Sequence, residues 1–112
     1  MKKIEAIIRS SKFEEVREAL SGVGVNFLTF REVKGLGKQQ GEAGFYRGAA
    51  YDMGYIARLE LSIVVSDGKL QKVIDAILGS ALTGEVGDGK IIVSDVSRII
   101  SIRTKEENES AF

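Results

Sequence analysis

Two strand–helix–strand blocks separated by a glycine-rich stretch predict an α+β domain of ferredoxin-like βαββαβ type. Apolar residues cluster or alternate in four strand-like segments and recur at helical spacing in two others. These six fall in the order β-α-β, long loop, β-α-β, which is two crossover units on one antiparallel sheet. The blocks also read as a weak internal duplication, each with a glycine-rich loop beside its second strand. With 112 residues the chain has the length of one domain, 1–112, with a modest core, so association with copies of itself would add buried surface.

The Ile-rich segment Lys3 to Ile8 ends in a Ser10-Ser11 break and predicts the first strand. Phe13, Val16, Ala19, Leu20 and Val23 then recur at helical spacing. Ser11 is the candidate cap, with Glu14 as its capping-box partner, and Gly22 and Gly24 mark the end. Val25 to Val33, rich in β-branched and aromatic residues, predicts the second strand. Six glycines between Gly35 and Gly54, with no periodicity, predict a long loop of the kind that usually carries function.

Arg58 to Val65 alternates, with Leu59, Leu61, Ile63 and Val65 on one face, and predicts a half-buried third strand. Asp67 is a candidate cap for a second helix whose stripe is Leu70, Val73, Ile74, Ile77, Leu78 and Ala81. A second glycine loop runs from Thr83 to Lys90, and Ile91 to Ile100 predicts a fourth strand bent near Asp95. The charged tail from Thr104 to Phe112 is expected to be loose.

Composition excludes several chemistries. With no histidine and no cysteine, Ser-His-Asp hydrolysis, His-ligated zinc, thiolate metal sites and disulfides are impossible within this chain. Lys+Arg and Asp+Glu both number 16, so the basic excess of a general nucleic-acid binder is missing. The opening Met1-Lys2-Lys3-Ile4 acquires Glu5 and Arg9 too soon for a signal peptide. No apolar run approaches the ~18 residues of a membrane span, and the expected location is the cytoplasm. The carboxylates Glu42, Asp52 and Asp88 form no fixed pair, and no nucleophile stands beside a base, so an enzyme is not expected.

Two loops carry anion-binding chemistry. In Gly87-Asp88-Gly89-Lys90 the glycines permit successive N–H groups to point one way, and the lysine supplies a charge. The plain alternative is a tight helix–strand connection with Lys90 in solvent. Gly35-Leu36-Gly37-Lys38-Gln39-Gln40 is a second Gly-Lys loop, but it meets neither the Walker nor the dinucleotide pattern. Arg103, after Ile102, can reach a phosphate bidentately or simply end a strand in solvent. Phe45-Tyr46-Arg47-Gly48-Ala49-Ala50-Tyr51 is aromatic where a loop is usually polar, which suggests a partner surface.

Taken jointly, these segments resemble the PII signal-transduction family along nearly the whole chain. Met1 to Ile8 resembles the family's start, and Glu32-Val33-Lys34-Gly35-Leu36-Gly37-Lys38-Gln39 its entry to the T-loop. Tyr46 to Tyr51 resembles the tip of that loop, Thr83 to Ile91 the B-loop, and Ile102-Arg103-Thr104 the C-terminal element. The resemblance implies a homotrimer, with a T-loop at about 36–55, a B-loop at about 82–90 and a C-terminal segment at about 101–112. It implies that ATP and ADP compete for clefts between subunits, and that magnesium and 2-oxoglutarate join ATP.

Carried over, Gly35, Gly37, Lys38, Gln39, Gly87, Asp88, Gly89 and Lys90 hold phosphates, Arg103 arrives from the neighbour, and Ile7, Thr29 and Val64 flank the adenine. Gln39 meets magnesium, and Gln39, Arg58 and Gly87 meet 2-oxoglutarate. Tyr51 matches a uridylylated tyrosine, and Tyr46 and Arg47 face a target such as an ammonium transporter or a nitrogen-assimilation enzyme. Gln40, Ala49, Ala50, Arg58, Ser62 and Ser101 depart from the family pattern, and Ser62 and Ser101 remove contacts usual at the nucleotide. Two rivals stay open: a PII-like trimer that senses bicarbonate or an AMP-type nucleotide, and a weak nucleotide hydrolase.

Overall fold

The computed structural model describes residues 1–35, 45–46, 49–50 and 56–112. Its elements are β1 (Lys2–Arg9), α1 (Phe13–Gly22), β2 (Thr29–Gly35), β3 (Ile56–Val65), α2 (Leu70–Ala81) and β4 (Lys90–Asp95). The sheet order is β2-β3-β1-β4, antiparallel throughout. This is the ferredoxin-like βαββαβ topology. Phe45–Tyr46 also pairs with Ala49–Ala50, a short ladder inside a stretch expected to hold no strand. The rest of the expected T-loop lies outside the described residues.

Period-two alternation gives the sheet one apolar face. Ile4, Ala6 and Ile8 of β1 and Leu59, Leu61, Ile63 and Val65 of β3 are buried on it. Val16 and Leu20 of α1 and Val73, Ile77 and Ala81 of α2 close over that face. Each fully buried aliphatic side chain here contributes about 1.5–3 kcal/mol relative to exposure. Leu78, expected in the α2 stripe, is 55% exposed, because it turns toward the edge beside β4. Phe30 of β2 is also more than half exposed and lies 4.7 Å, centroid to centroid, from Phe13 of α1.

Neither expected helix cap forms. Ser10–Lys12 makes a 3-10 turn whose Ser10 carbonyl accepts the Phe13 N–H, and no side chain caps α1. A short i→i+3 turn satisfies part of what a capping hydroxyl would. Asp67 likewise opens a 3-10 turn before α2, and its carboxylate turns to the amino group of Met1 at 3.0 Å. The expected glycine stop of α1 does form. Gly24 has φ +86°, its N–H donates to the Ser21 carbonyl, and the Val25 N–H donates to the Leu20 carbonyl. That is the Schellman pattern.

Two strands are shorter than expected. β2 begins at Thr29, because Val25 completes the helix stop and Val25 and Leu28 pack against the core instead of joining the ladder. β4 ends at Asp95 opposite Lys2, where β1 begins, and among the described residues the one ladder bond beyond is Val96 N–H to the Met1 carbonyl. The tail is not loose along its whole length. Ile100 bridges Glu107, the Asn108 N–H donates to the Ile99 carbonyl, Arg98 pairs with Glu107 at 2.7 Å, and Asn108–Ala111 forms a 3-10 turn.

Candidate functional site

The most constrained surface feature is the loop from Thr83 to Lys90. α2 ends at Ala81 and β4 starts at Lys90, so eight residues turn the chain back onto β1. Asp88 shapes that turn. Its carboxylate accepts the N–H groups of Thr83 and Gly84, each at 2.9 Å, and the Thr83 hydroxyl. The Glu85 N–H donates in turn to that hydroxyl at 3.1 Å. Arg9, the last residue of β1, donates from Nε to Asp88 Oδ1 at 3.0 Å and from Nη2 to the Val86 carbonyl at 2.9 Å. These donors, led by the Thr83 hydroxyl, hold the Asp88 carboxyl well below the usual aspartate range.

Gly87 and Gly89 have φ of +102° and +104°, in the left-handed region that favours glycine. A Cβ at Gly89 would stand 1.7 Å from the Ile7 carbonyl oxygen. A Cβ at Gly87 would stand 2.8 Å from Arg58 Nη2 and 3.4 Å from Arg9 Nη2. The backbone thus runs directly over the ends of β1 and β3, between two guanidinium groups. Among the described residues no acceptor takes the N–H of Gly87, Asp88 or Gly89. Asp88 therefore has only its N–H to offer an anion, since its carboxylate already closes the loop.

Arg58 faces Arg9 in the β1–β3 register. Like charges opposite one another across a sheet repel. Asp88 neutralises Arg9. Arg58 is only 8% exposed and has no carboxylate partner among the described residues. A cation so far removed from water is costly unless an anion meets it.

The expected site residues divide into groups. Asp88, Gly89 and Lys90 line a cleft of about 420 Å³ with Ile7, which is paired with Lys90 across β1 and β4, beside Leu78 and Leu82, while Gly87 stands against Arg58 and Arg9. Thr29, Ser62 and Val64 line a different cleft, of about 490 Å³, closed on one side by Ile99, Ala111 and Phe112. Ile7, Thr29, Ser62 and Val64 nevertheless share one face of the sheet, since Ile7 pairs with Glu60 and Thr29 with Ser62 on the same side of β3. Gly35 ends β2, and Arg103 is exposed in the turn after Ile100 with no carboxylate partner among the described residues. Gly37, Lys38, Gln39, Arg47 and Tyr51 lie outside the described residues, and of Tyr46 only the backbone is described.

Sequence reasoning missed Arg9, Thr83 and the tail residues at the second cleft. The alternation of β1 already puts Arg9 on the face opposite Ile8, the same face as Arg58. The Thr83–Asp88 closure had no signal beyond a hydroxyl and a carboxylate bracketing two glycines. Among the described residues no group of three or more acidic side chains is placed to hold a metal, and no helix is long and apolar enough to cross a membrane.

Residues 1–106 match the family model described as nitrogen regulatory protein P-II. The nitrogen regulatory protein P-II of Pasteurella multocida (strain Pm70) is 50% identical over 112 residues, all of both chains. That of Klebsiella oxytoca and the nitrogen regulatory protein P-II 1 of Escherichia coli (strain K12) are each 48% identical over the same full length. With a family model and full-length relatives at 48–50% identity, this chain belongs to the nitrogen regulatory protein P-II family, whose members are signal-transduction regulators and not enzymes.

Proposed function

We propose that the protein is a cytoplasmic sensor that binds ATP or ADP in clefts between the subunits of a homotrimer and reports the occupant through residues 36–55. The observation that carries this reading is the loop at Gly87–Lys90. Three successive N–H groups without an intramolecular acceptor among the described residues surround a turn held by left-handed glycines, with Lys90 beside them. Such a nest suits a phosphate oxygen, and the lysine adds a point charge. Ile7, Thr29 and Val64 share one sheet face, which favours a ligand laid on that face where another copy can close over it. Leu82, Val86, Ile92 and Val93, all exposed in the single chain, give those copies apolar surface to cover.

Phosphate contacts come from Gly35, Gly37, Lys38, Gln39 and Gly87 to Lys90, with Arg103 donated by the neighbouring subunit. Magnesium enters with the phosphates at Gln39. 2-Oxoglutarate sits between Gln39, Arg58 and Gly87. The support for its carboxylate on Arg58 is a guanidinium withdrawn from water without a described counter-charge. A ligand biases the 36–55 segment only through its different affinity for that segment's conformers. Tyr46 and Arg47 then meet a target such as an ammonium transporter or a nitrogen-assimilation enzyme, and Tyr51 is the modification candidate.

Isothermal titration of the purified protein with ATP, ADP and 2-oxoglutarate tests this. Micromolar nucleotide binding is expected, weakened about tenfold in Lys90→Ala by loss of one charged phosphate contact. Absence of heat and of competition with both nucleotides at high micromolar concentration sinks the reading.

A further inference from the structure

The second glycine loop holds its shape through a side chain outside it. Asp88 alone ties the loop to itself at Thr83 and Gly84, which leaves the turn free to pivot about its two ends. Arg9 removes that freedom. It stands at the end of β1, the strand paired on both sides by β3 and β4. Its planar fork reaches Asp88 Oδ1 with Nε and the Val86 carbonyl with Nη2. Both partners immediately flank Gly87. A bidentate fork fixes orientation as well as distance, which a lysine ammonium at the same place does not.

We infer that Arg9 is a positioning residue: it staples the 83–88 turn to the central strand and so aims the Gly87, Asp88 and Gly89 N–H groups at their ligand. It does this through Asp88 and Val86, without itself touching the anion, since both of its described bonds end on the loop. The same staple holds the backbone of Gly87 over Arg58, whose Nη2 lies 2.8 Å from where a Gly87 Cβ would be. The phosphate loop and the Arg58 anion position therefore share one support. This inference rests on the phosphate-binding reading of the loop.

The test uses the full chain in four forms: wild type, Arg9→Ala, Asp88→Ala and the double variant, with Arg9→Lys and the surface variant Arg17→Ala as comparators. Two quantities are measured. The first is hydrogen exchange at the Thr83 and Gly84 amides in ligand-free protein, which needs no nucleotide. Arg9→Ala is expected to speed it about tenfold, as loss of a charge-assisted bond to their acceptor predicts. The second is ATP affinity. Arg9→Ala is expected to weaken it about tenfold, and by clearly less in the Asp88→Ala background, where only the Val86 bond remains to be lost. Arg9→Lys restores only part of the loss, and Arg17→Ala changes neither quantity.

Unchanged exchange at Thr83 and Gly84 in Arg9→Ala overturns the staple whatever the nucleotide result. An equal loss of affinity in both Asp88 backgrounds, or full rescue by Arg9→Lys, overturns it in favour of direct phosphate contact. If wild type binds no nucleotide, the proposed function fails separately.

Discussion

Gly89→Ala is the sharpest test of how the second glycine loop is seated. The new Cβ would lie 1.7 Å from the Ile7 carbonyl oxygen and 2.8 Å from the Ile7 carbonyl carbon, so a separation of more than an ångström must open. β1 cannot supply it cheaply, because Ile7 is paired with Glu60 on one side and Lys90 on the other. The loop must move instead, away from Arg9 and Arg58. Backbone strain at φ +104° adds about 1–2 kcal/mol for a residue with a Cβ. Overpacking adds about 1–3 kcal/mol. A total near 2–5 kcal/mol is a large share of the ~5–15 kcal/mol that holds a domain folded. At about 4 °C per kcal/mol, the melting temperature falls by roughly 8–20 °C. Thermal and urea unfolding at one fixed protein concentration measure this, with Gly84→Ala as the reference. Gly84 has φ +88° but nothing within 4 Å of its would-be Cβ, so it carries strain without collision. A Gly89→Ala melt equal to that of Gly84→Ala would refute the close approach to β1.

Leu61→Ala removes a fully buried side chain from an inner strand and is expected to cost about 2–5 kcal/mol in urea unfolding. Gly79→Ala, in an α2 position with nothing within 4 Å of a new Cβ, is expected to raise stability by about 0.5–1 kcal/mol, read as a higher urea midpoint. Acid unfolding carries a carboxylate signature. Asp88, Asp67 and Asp95 are all held below the usual range, chiefly by hydrogen bonds from Thr83, the Met1 amino group and Lys2 respectively. Because the folded state lowers these values, their contribution is complete above the ordinary aspartate value near ~3.9 and is lost as pH falls through the folded values. Urea midpoints are therefore expected to hold steady from about pH 7 to 5 and to fall below about pH 4, with a shallower fall in Asp88→Asn.

The elements legible in the sequence are those whose signal is periodic and local. The alternation from Leu59 to Val65 and the stripe from Val73 to Ala81 report burial, and burial put them where they are. The errors lie at the element ends, and each has a distant cause. Asp67 has the side chain of a helix cap, but the amino group of Met1 competes for it. The apolar run after Asp95 reads as strand, but β1 offers it no pairing partner beyond Lys2. Val25 and Leu28 have β-type side chains that serve the core and not the ladder. At the candidate site, the glycines and Lys90 were visible because loop chemistry is local. Arg9 was not, because its partners Val86 and Asp88 are about eighty positions away in sequence and adjacent only after folding.

The net charge of zero, taken alone, argues against a polyanionic ligand, and the loop shows why the sum misleads. What a ligand meets is the local field, not the total. Arg9 and Arg58 stand opposite one another at the end of the β1–β3 ladder, and Lys90 opens β4 nearby. Two adjacent guanidinium groups without compensation would push the strand ends and the loop apart. Asp88 solves that by turning its carboxylate inward, onto Arg9 and the loop's own donors. The negative charge is thereby turned away from the outward side, where N–H groups, Lys90 and Arg58 remain. One acidic residue in the middle of the loop thus ties the loop together and leaves its outward face positive.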